Sequence, residues 1–284
     1  MKKGDWRNIK IIAAIIAIFA VLLAAGFYQN SETVSTNWNY QQLTLFNHSE
    51  NNFTFTFSGD ERDDNGNFSK MINNINSNYP NLLFNINGGD LRSDAIPMSD
   101  FKKDYLIPGT VAHFNRPVMF VIGNHELIND PSESKFKFIF GSPTYYNFSK
   151  NNSYFIIIDN ANGESLDSKQ LTWLNEQLNL SQKYKYRFVF MHVPLYTPNG
   201  EAEHGMVTTG AGGADALQSL FDSYNVTMIF ASHIHNYYTG IWGKTPFIIS
   251  GGAGAPPENN EPPNHHYIVV NVTNKLVTYT KVNY

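Results

Sequence analysis

Apolar and polar positions along this chain fall into a rhythm that starts near residue 53 and continues to the C-terminus. Residues 53–57 alternate Phe with Thr, the period of a half-buried strand. A polar loop follows, then apolar residues at helical spacing near 68–77. Residues 82–86 predict a second strand, ending in Asn87-Gly88-Gly89-Asp90. A helix is predicted near 99–114, with Phe101, Tyr105, Val111 and Phe114 as its apolar positions. The apolar run 118–122 predicts a buried strand that closes in Gly123-Asn124-His125-Glu126. Strands at 154–158, 187–191 and 227–230 then alternate with helices at 168–180 and 215–224. Consecutive strands finish the chain at 237–242, 246–249, 267–272 and 275–282, with a Gly- and Pro-rich loop at 251–263 between the middle two. Alternating β and α units with a strand-rich end predict an α/β domain with mixed sheets, whose ligand sites lie at the carboxyl ends of strands.

The N-terminus follows a different pattern. Lys2, Lys3, Arg7 and Lys10 precede an unbroken apolar stretch at 11–27. About 17 residues at a rise of 1.5 Å cover most of a hydrocarbon core. Basic residues before the stretch and polar ones after it orient the N-terminus to the cytoplasm and the rest outside. The length favours a single-pass anchor over residues 1–28; the small residues Ala24-Ala25-Gly26 offer the alternative of a cleaved signal and a secreted chain. Residues 29–50 are polar without periodicity and read as a tether, leaving 51–284 as the domain. Asn-x-Ser/Thr sequons from Asn47 to Asn271 are compatible with an exterior location.

Composition narrows the chemistry. The net charge of −4, without a basic block, argues against a nucleic-acid-binding face. The chain has no cysteine, so thiolate metal sites, disulfides and a cysteine nucleophile are excluded. Metal ligands must come from His, Asp, Asn or Glu. Neither a Gly-x-Ser-x-Gly elbow nor a His-Glu-x-x-His helix is present.

Polar residues collect where the predicted strands end. The first strand runs into Ser58-Gly59-Asp60-Glu61-Arg62 and the second into Gly89-Asp90. The third runs into Asn124-His125, the strand at 187–191 into His192-Val193-Pro194, and the strand at 227–230 into Ser232-His233-Ile234-His235. Five strands thus deliver oxygen and imidazole donors to one edge, a set that suits first-row metals such as Mn, Fe or Zn. In this order the motifs resemble the calcineurin-like metallophosphoesterases over about residues 52–282, and Ser250-Gly251-Gly252-Ala253-Gly254 resembles a late loop of the purple-acid-phosphatase-like branch. The resemblance implies a four-layer α/β/β/α sandwich and a dinuclear site for two divalent or trivalent ions. It implies hydrolysis of phosphate mono- or diesters, on small molecules or lipid headgroups, by metal-activated water. Asp90 would bridge the ions, Asp60 and His235 would hold one, and Asn124, His192 and His233 the other. His125 would face the phosphate or the leaving group.

Two positions depart from that pattern. The family's first motif is usually Asp-x-His, and here Arg62 fills the histidine seat, where a guanidinium cannot ligate a metal. Water or Glu61 could replace the lost ligand, the first seat could fill only with substrate, or the domain could be a catalytically impaired binding module with a mononuclear or empty site. Arg62 is itself a candidate to grip a phosphate oxygen, and His204, in the loop after His192, a candidate to contact substrate. The family's acid that orients His125 would fall at Ser93, with Asp94 next to it. Ser232 stands for the glycine of the usual Gly-His-x-His.

Overall fold

The computed structural model describes residues 38–46, 52–62, 66–92, 105–106, 112–128, 130–198, 204–257 and 264–284. Helix α1 (Trp38–Leu43) precedes β1 (Phe53–Ser58), α2 (Asn67–Asn78), β2 (Phe84–Asn87) and β3 (Val118–Phe120). Short helices α3 (Asn124–Ile128) and α4 (Ser134–Phe140) lead to β4 (Tyr146–Lys150) and β5 (Ser153–Ile157). Then come α5 (Ser168–Leu180), β6 (Tyr186–Phe190), α6 (Ala214–Ser223) and β7 (Met228–Ala231). Four strands close the chain: β8 (Tyr237–Trp242), β9 (Thr245–Ser250), β10 (His266–Val272) and β11 (Val277–Asn283).

The strands form two mixed sheets, ordered β11-β10-β1-β2-β3 and β4-β5-β6-β7-β9-β8. β1, β2 and β3 are parallel to one another, as are β5, β6, β7 and β9. Period-two alternation explains why two sheets stack. In β6, Tyr186, Phe188 and Phe190 face the other sheet, while Val189 faces the helices. Three cores result: one between the sheets, one under α5 and α6, and one under α2 and α4, so the layers run α/β/β/α. The central core is aromatic. Phe55 is fully buried, with ring centroids of Phe84, Phe155, Phe188, Phe190 and Phe230 at 5.2–6.1 Å. Burying each such ring contributes about 1.5–3 kcal/mol.

The tether expected over 29–50 is corrected in part. Residues 38–46 belong to the domain. Trp38 Nε1 donates to Val118 O at 2.9 Å, and Asn39 accepts from Phe120 N at 2.8 Å and donates to Phe120 O at 3.3 Å. Phe46 enters the central core. β3 is an edge strand, and α1 satisfies its open backbone groups with side-chain amides. Such a helix buries polar atoms, so it has no apolar stripe to read. The expected membrane span at 11–27 lies outside the described residues; among those described, no helix is long and apolar enough to cross a membrane. Most of the helix expected at 99–114 also lies outside them, and residues 112–117 are not helical.

Candidate metal centre

Parallel strands in both sheets bring their carboxyl ends to one rim, and the residues singled out in the sequence meet there. The loop after β1 carries Asp60, the loop after β2 Asp90, the loop after β6 His192 and the loop after β7 His233 and His235; Asn124 opens α3 just after β3. The loops are held in unusual backbone conformations. Asp60, Arg62, Asp90 and His233 have φ of 63°, 35°, 57° and 69°. The left-handed region is costly for residues with a Cβ, and such outliers gather where side-chain placement matters. Glycine allows the loops to touch: a Cβ on Gly123 would overlap both Asp90 Oδ1 and Asp90 N.

One group of donors is compact. Ligand atoms of Asp90, His192 and His233 all lie within 4.8 Å of one another. Asn124 Oδ1 sits 2.9 Å from His192 Nε2 and 2.9 Å from His233 Nδ1. His192 Nδ1 donates to Gly88 O at 2.8 Å, which leaves the lone pair of a neutral His192 on Nε2. That lone pair faces Asp90 Oδ1 at 3.3 Å and the Asn124 oxygen. Electron-rich atoms converge there, so the point favours positive charge, either a proton on Nε2 or a metal ion in its place. The electrostatics agree: burial opposes charging His192, yet the Asp90 carboxylate raises it to about 10. Burial and the neighbouring His192 push His233 down to about 4, so its imidazole is neutral and able to ligate.

A second group lies beside it. His235 Nε2 is 3.6 Å from Asp60 Oδ1. His235 Nδ1 donates to Pro256 O at 2.8 Å, again leaving Nε2 as the ligating atom. Asp60 Oδ1 is buried with no hydrogen-bond partner, as expected of an oxygen reserved for a cation. The other oxygen is occupied: Asp60 Oδ2 accepts from Ser232 Oγ and from His233 N at 2.8 Å. Burial opposes ionising Asp60, but the facing His235 imidazole and the His192 charge hold its pKa low. The late glycine loop braces it from behind, with Ala255 N donating to Asp60 O at 2.7 Å and Ala253 N to Gly59 O at 3.0 Å. The set Asp90, Asn124, His192 and His233 therefore fits a metal ion, and Asp60 and His235 place one carboxylate oxygen and one imidazole nitrogen beside it.

The remaining candidates border these groups. His125 Nε2 is 3.7 Å from Asp90 Oδ2, and Arg62 Nη2 is 3.3 Å from His125 Nδ1. The His204 ring lies 5.6 Å from that of His233. Glu61 does not turn to the vacated ligand seat; both its oxygens accept from Asn87 Nδ2, at 2.9 and 3.1 Å. Burial raises its pKa well above the usual carboxyl range. Ser93 and Asp94 lie outside the described residues.

Sequence reasoning missed three supporting residues. Glu126 ties the second motif loop to the third, accepting from Gly123 N at 2.7 Å, Asp90 N at 3.0 Å and Leu91 N at 2.9 Å. Asn160, just after β5, accepts from His192 N at 3.0 Å and Val193 N at 3.2 Å and donates to Val193 O at 2.6 Å. Ser232 read only as a departure from glycine, yet it holds Asp60 and occupies space that Gly59 leaves open. The available signal was position: each stands at a strand end among the motif residues.

Known proteins resemble this chain in sequence and in fold. A family model described as calcineurin-like phosphoesterase matches residues 47–237. The serine/threonine-protein phosphatase CPPED1 of Danio rerio is 26% identical over 215 residues, 69% of this chain and 68% of its own. The purple acid phosphatase PPD1 from yellow lupin (Lupinus luteus) seeds superposes with a TM-score of 0.63 at 18% identity, covering 84% of this chain and 54% of that one. GAP50, the anchor in the inner membrane complex of Plasmodium, superposes with a TM-score of 0.60 at 15% identity, covering 82% and 85%. At these identities the two structural likenesses establish a common fold.

Proposed function

This chain belongs to the calcineurin-like phosphoesterase family, and from that premise we propose that it hydrolyses phosphate esters at a dinuclear metal centre outside the cytoplasmic membrane. The observation that carries the proposal is the convergence of Asp90, Asn124, His192 and His233 beside the pair Asp60 and His235. Two bound divalent or trivalent ions (Mn, Fe or Zn) would neutralise phosphoryl oxygens and lower the pKa of an attacking water. The chain's own residues do the rest. Asp90 and Asn124 orient the two donor sets toward a shared substrate position. His125 stands over Asp90 and supplies a proton to the leaving oxygen. His204 borders the same space and would contact phosphoryl or ester groups, and Arg62 reaches it through His125. The substrate would be a small phosphate ester or a lipid headgroup. The relative named as a protein phosphatase supports ester hydrolysis in general.

The exterior location rests on the basic residues ahead of the apolar stretch at 11–27. A competing reading, a binding domain with a mononuclear or empty site, is favoured by Arg62 in the seat of a ligand histidine. Elemental analysis and turnover separate the two. The full-length chain, loaded with Mn or Zn, is expected to bind close to two ions and to hydrolyse nitrophenyl phosphate mono- or diesters. Asp90→Ala and His125→Ala should each abolish turnover. Turnover that survives both substitutions rejects the site, and a chain that retains no metal supports the binding domain.

A further inference from the structure

Arg62 costs the Asp60 and His235 set a ligand, but its guanidinium is engaged elsewhere. Nη2 faces His125 Nδ1 at 3.3 Å. A guanidinium carries donors only and stays charged. The ring nitrogen opposite must therefore accept, which assigns the imidazole proton to Nε2. That atom is the one nearest Asp90 Oδ2, at 3.7 Å, on the side of the metal-binding residues. Both residues are also fixed to Asp90 through their backbones. Arg62 N donates to Asp90 O at 3.1 Å, and His125 N donates to Asp90 Oδ1 at 2.9 Å. The left-handed backbone of Arg62, with φ of 35°, is part of what turns its side chain toward the ring.

We infer that Arg62 is a positioning residue that holds His125 as the Nε2–H tautomer and aims that proton at the leaving oxygen. The inference rests on the phosphoesterase reading given above. A single residue thereby exchanges metal ligation for control of the proton donor. In the hydrolysis it serves, the bond from phosphorus to the ester oxygen breaks with its electron pair on that oxygen, the Nε2 proton passes to it, a water oxygen bonds to phosphorus, and the proton that water releases returns to Nε2, the ring being paired meanwhile with the Arg62 guanidinium. This role differs from direct phosphate binding, because it matters only where the leaving oxygen needs that proton.

Two measurements on the full-length chain test it. The first uses long-range proton–nitrogen correlation spectra of isotope-labelled histidine in metal-free protein, at a pH about two units above the ordinary imidazole pKa. His125→Ala assigns the signal. The wild-type ring is expected in one tautomer, protonated on Nε2, and Arg62→Ala should give a mixed or reversed pattern. A wild-type proton on Nδ1, or a pattern unchanged in Arg62→Ala, overturns the inference. The second compares phenyl phosphate, whose leaving group needs a proton, with dinitrophenyl phosphate, whose leaving group does not. Arg62→Ala should lose about 10–100-fold in kcat on the phenyl ester and less than about threefold on the other. The double variant should lose no more than His125→Ala alone. Equal losses on both esters, or additive losses in the double variant, also overturn it. The spectra need no turnover, so a wild-type chain that hydrolyses neither ester would sink the phosphoesterase reading while the tautomer still decides the role of Arg62.

Discussion

Truncating Glu126 to alanine should loosen the site by unpairing the backbone that carries it. The carboxyl group accepts from three amides, Gly123 N, Asp90 N and Leu91 N, at 2.7, 3.0 and 2.9 Å, and is itself buried. An unpaired buried donor costs about 1–3 kcal/mol. Three would cost more than most single substitutions, and water entering the vacated space offsets a share, leaving about 3–5 kcal/mol. One effect opposes this. Burial, then the Asp90 charge, pushes the Glu126 carboxyl up to about 7, so its ionised form is disfavoured in the fold. Stability from the retained proton is full below the unfolded value of about 4.3 and is lost as pH rises through about 7. At neutral pH, removing the group would therefore recover up to about 3 kcal/mol and mask the lost hydrogen bonds. At a pH of about 5 the recovery falls below about 1 kcal/mol, and the unpaired donors dominate.

The assay is urea unfolding of metal-free protein, followed by circular dichroism at that pH. Glu126→Ala should lose about 3–5 kcal/mol, a large part of the roughly 5–15 kcal/mol available to a domain. At that pH the wild-type carboxyl carries a proton and resembles an amide in its donors and acceptors, so Glu126→Gln should lose about 1 kcal/mol or less. A Glu126→Ala deficit below about 1 kcal/mol would refute the view that this carboxyl group joins the two motif loops.

Two further outcomes follow from close packing and from burial. A Cβ on Gly59 would overlap Ser232 Oγ and lie 3.1 Å from Gly88 Cα, so Gly59→Ala should cost about 1–3 kcal/mol in unfolding measurements. Gly59→Ala should cost less in a Ser232→Gly background than in the wild type, and an equal cost in both backgrounds would contradict the stated clash. Burial, together with nearby Glu133 and against a hydrogen bond from Thr144, pushes Asp159 up to about 6. Its contribution to stability is full below about 3.9 and lost as pH rises through about 6, so Asp159→Asn should gain about 2–3 kcal/mol relative to wild type between pH values of about 4 and 7. A wild-type-to-variant difference that stays constant over that range would count against it.

The sheets were legible because most strands send alternate residues into an apolar core. In β1, Phe53, Phe55 and Phe57 enter the aromatic centre while the intervening residues face away, and that alternation is visible in the letters alone. Helix α5 matched its expected span because Leu174 and Leu178 recur at helical spacing under an Asp167 cap, whose side chain accepts from Gln170 N. Elements held by polar atoms left no such trace. α1 buries Asn39 and Gln42 to satisfy an edge strand, so its pattern imitates a tether. α3 spans five residues, too few to display a period, so the helix that Asn124 begins left no trace in the pattern.

The site was legible at the level of residue type and position, and illegible at the level of reach. Asp60, Asp90, Asn124, His192, His233 and His235 could be collected because parallel strands must end at a common rim. Nothing in the letters says which oxygen of Asp60 stays unpaired, or that Ser232 secures the other. Those facts depend on loops whose φ values lie where L residues are rare. Four of the seven non-glycine residues with positive φ among the described residues are Asp60, Arg62, Asp90 and His233. Each costs about 1 kcal/mol or more, and glycine would relieve it. Glycine would also delete the side chain. Strain is thus tolerated where a functional group has to leave the backbone in a fixed direction, and glycines sit beside those residues, at Gly59, Gly89 and Gly123, to let the loops approach. The aromatic core between the sheets provides the stability against which this strain is carried. The same reasoning reinterprets Arg62. Read as a letter in a motif it is a missing ligand, whereas on a left-handed backbone tied to Asp90 it becomes a donor aimed at His125.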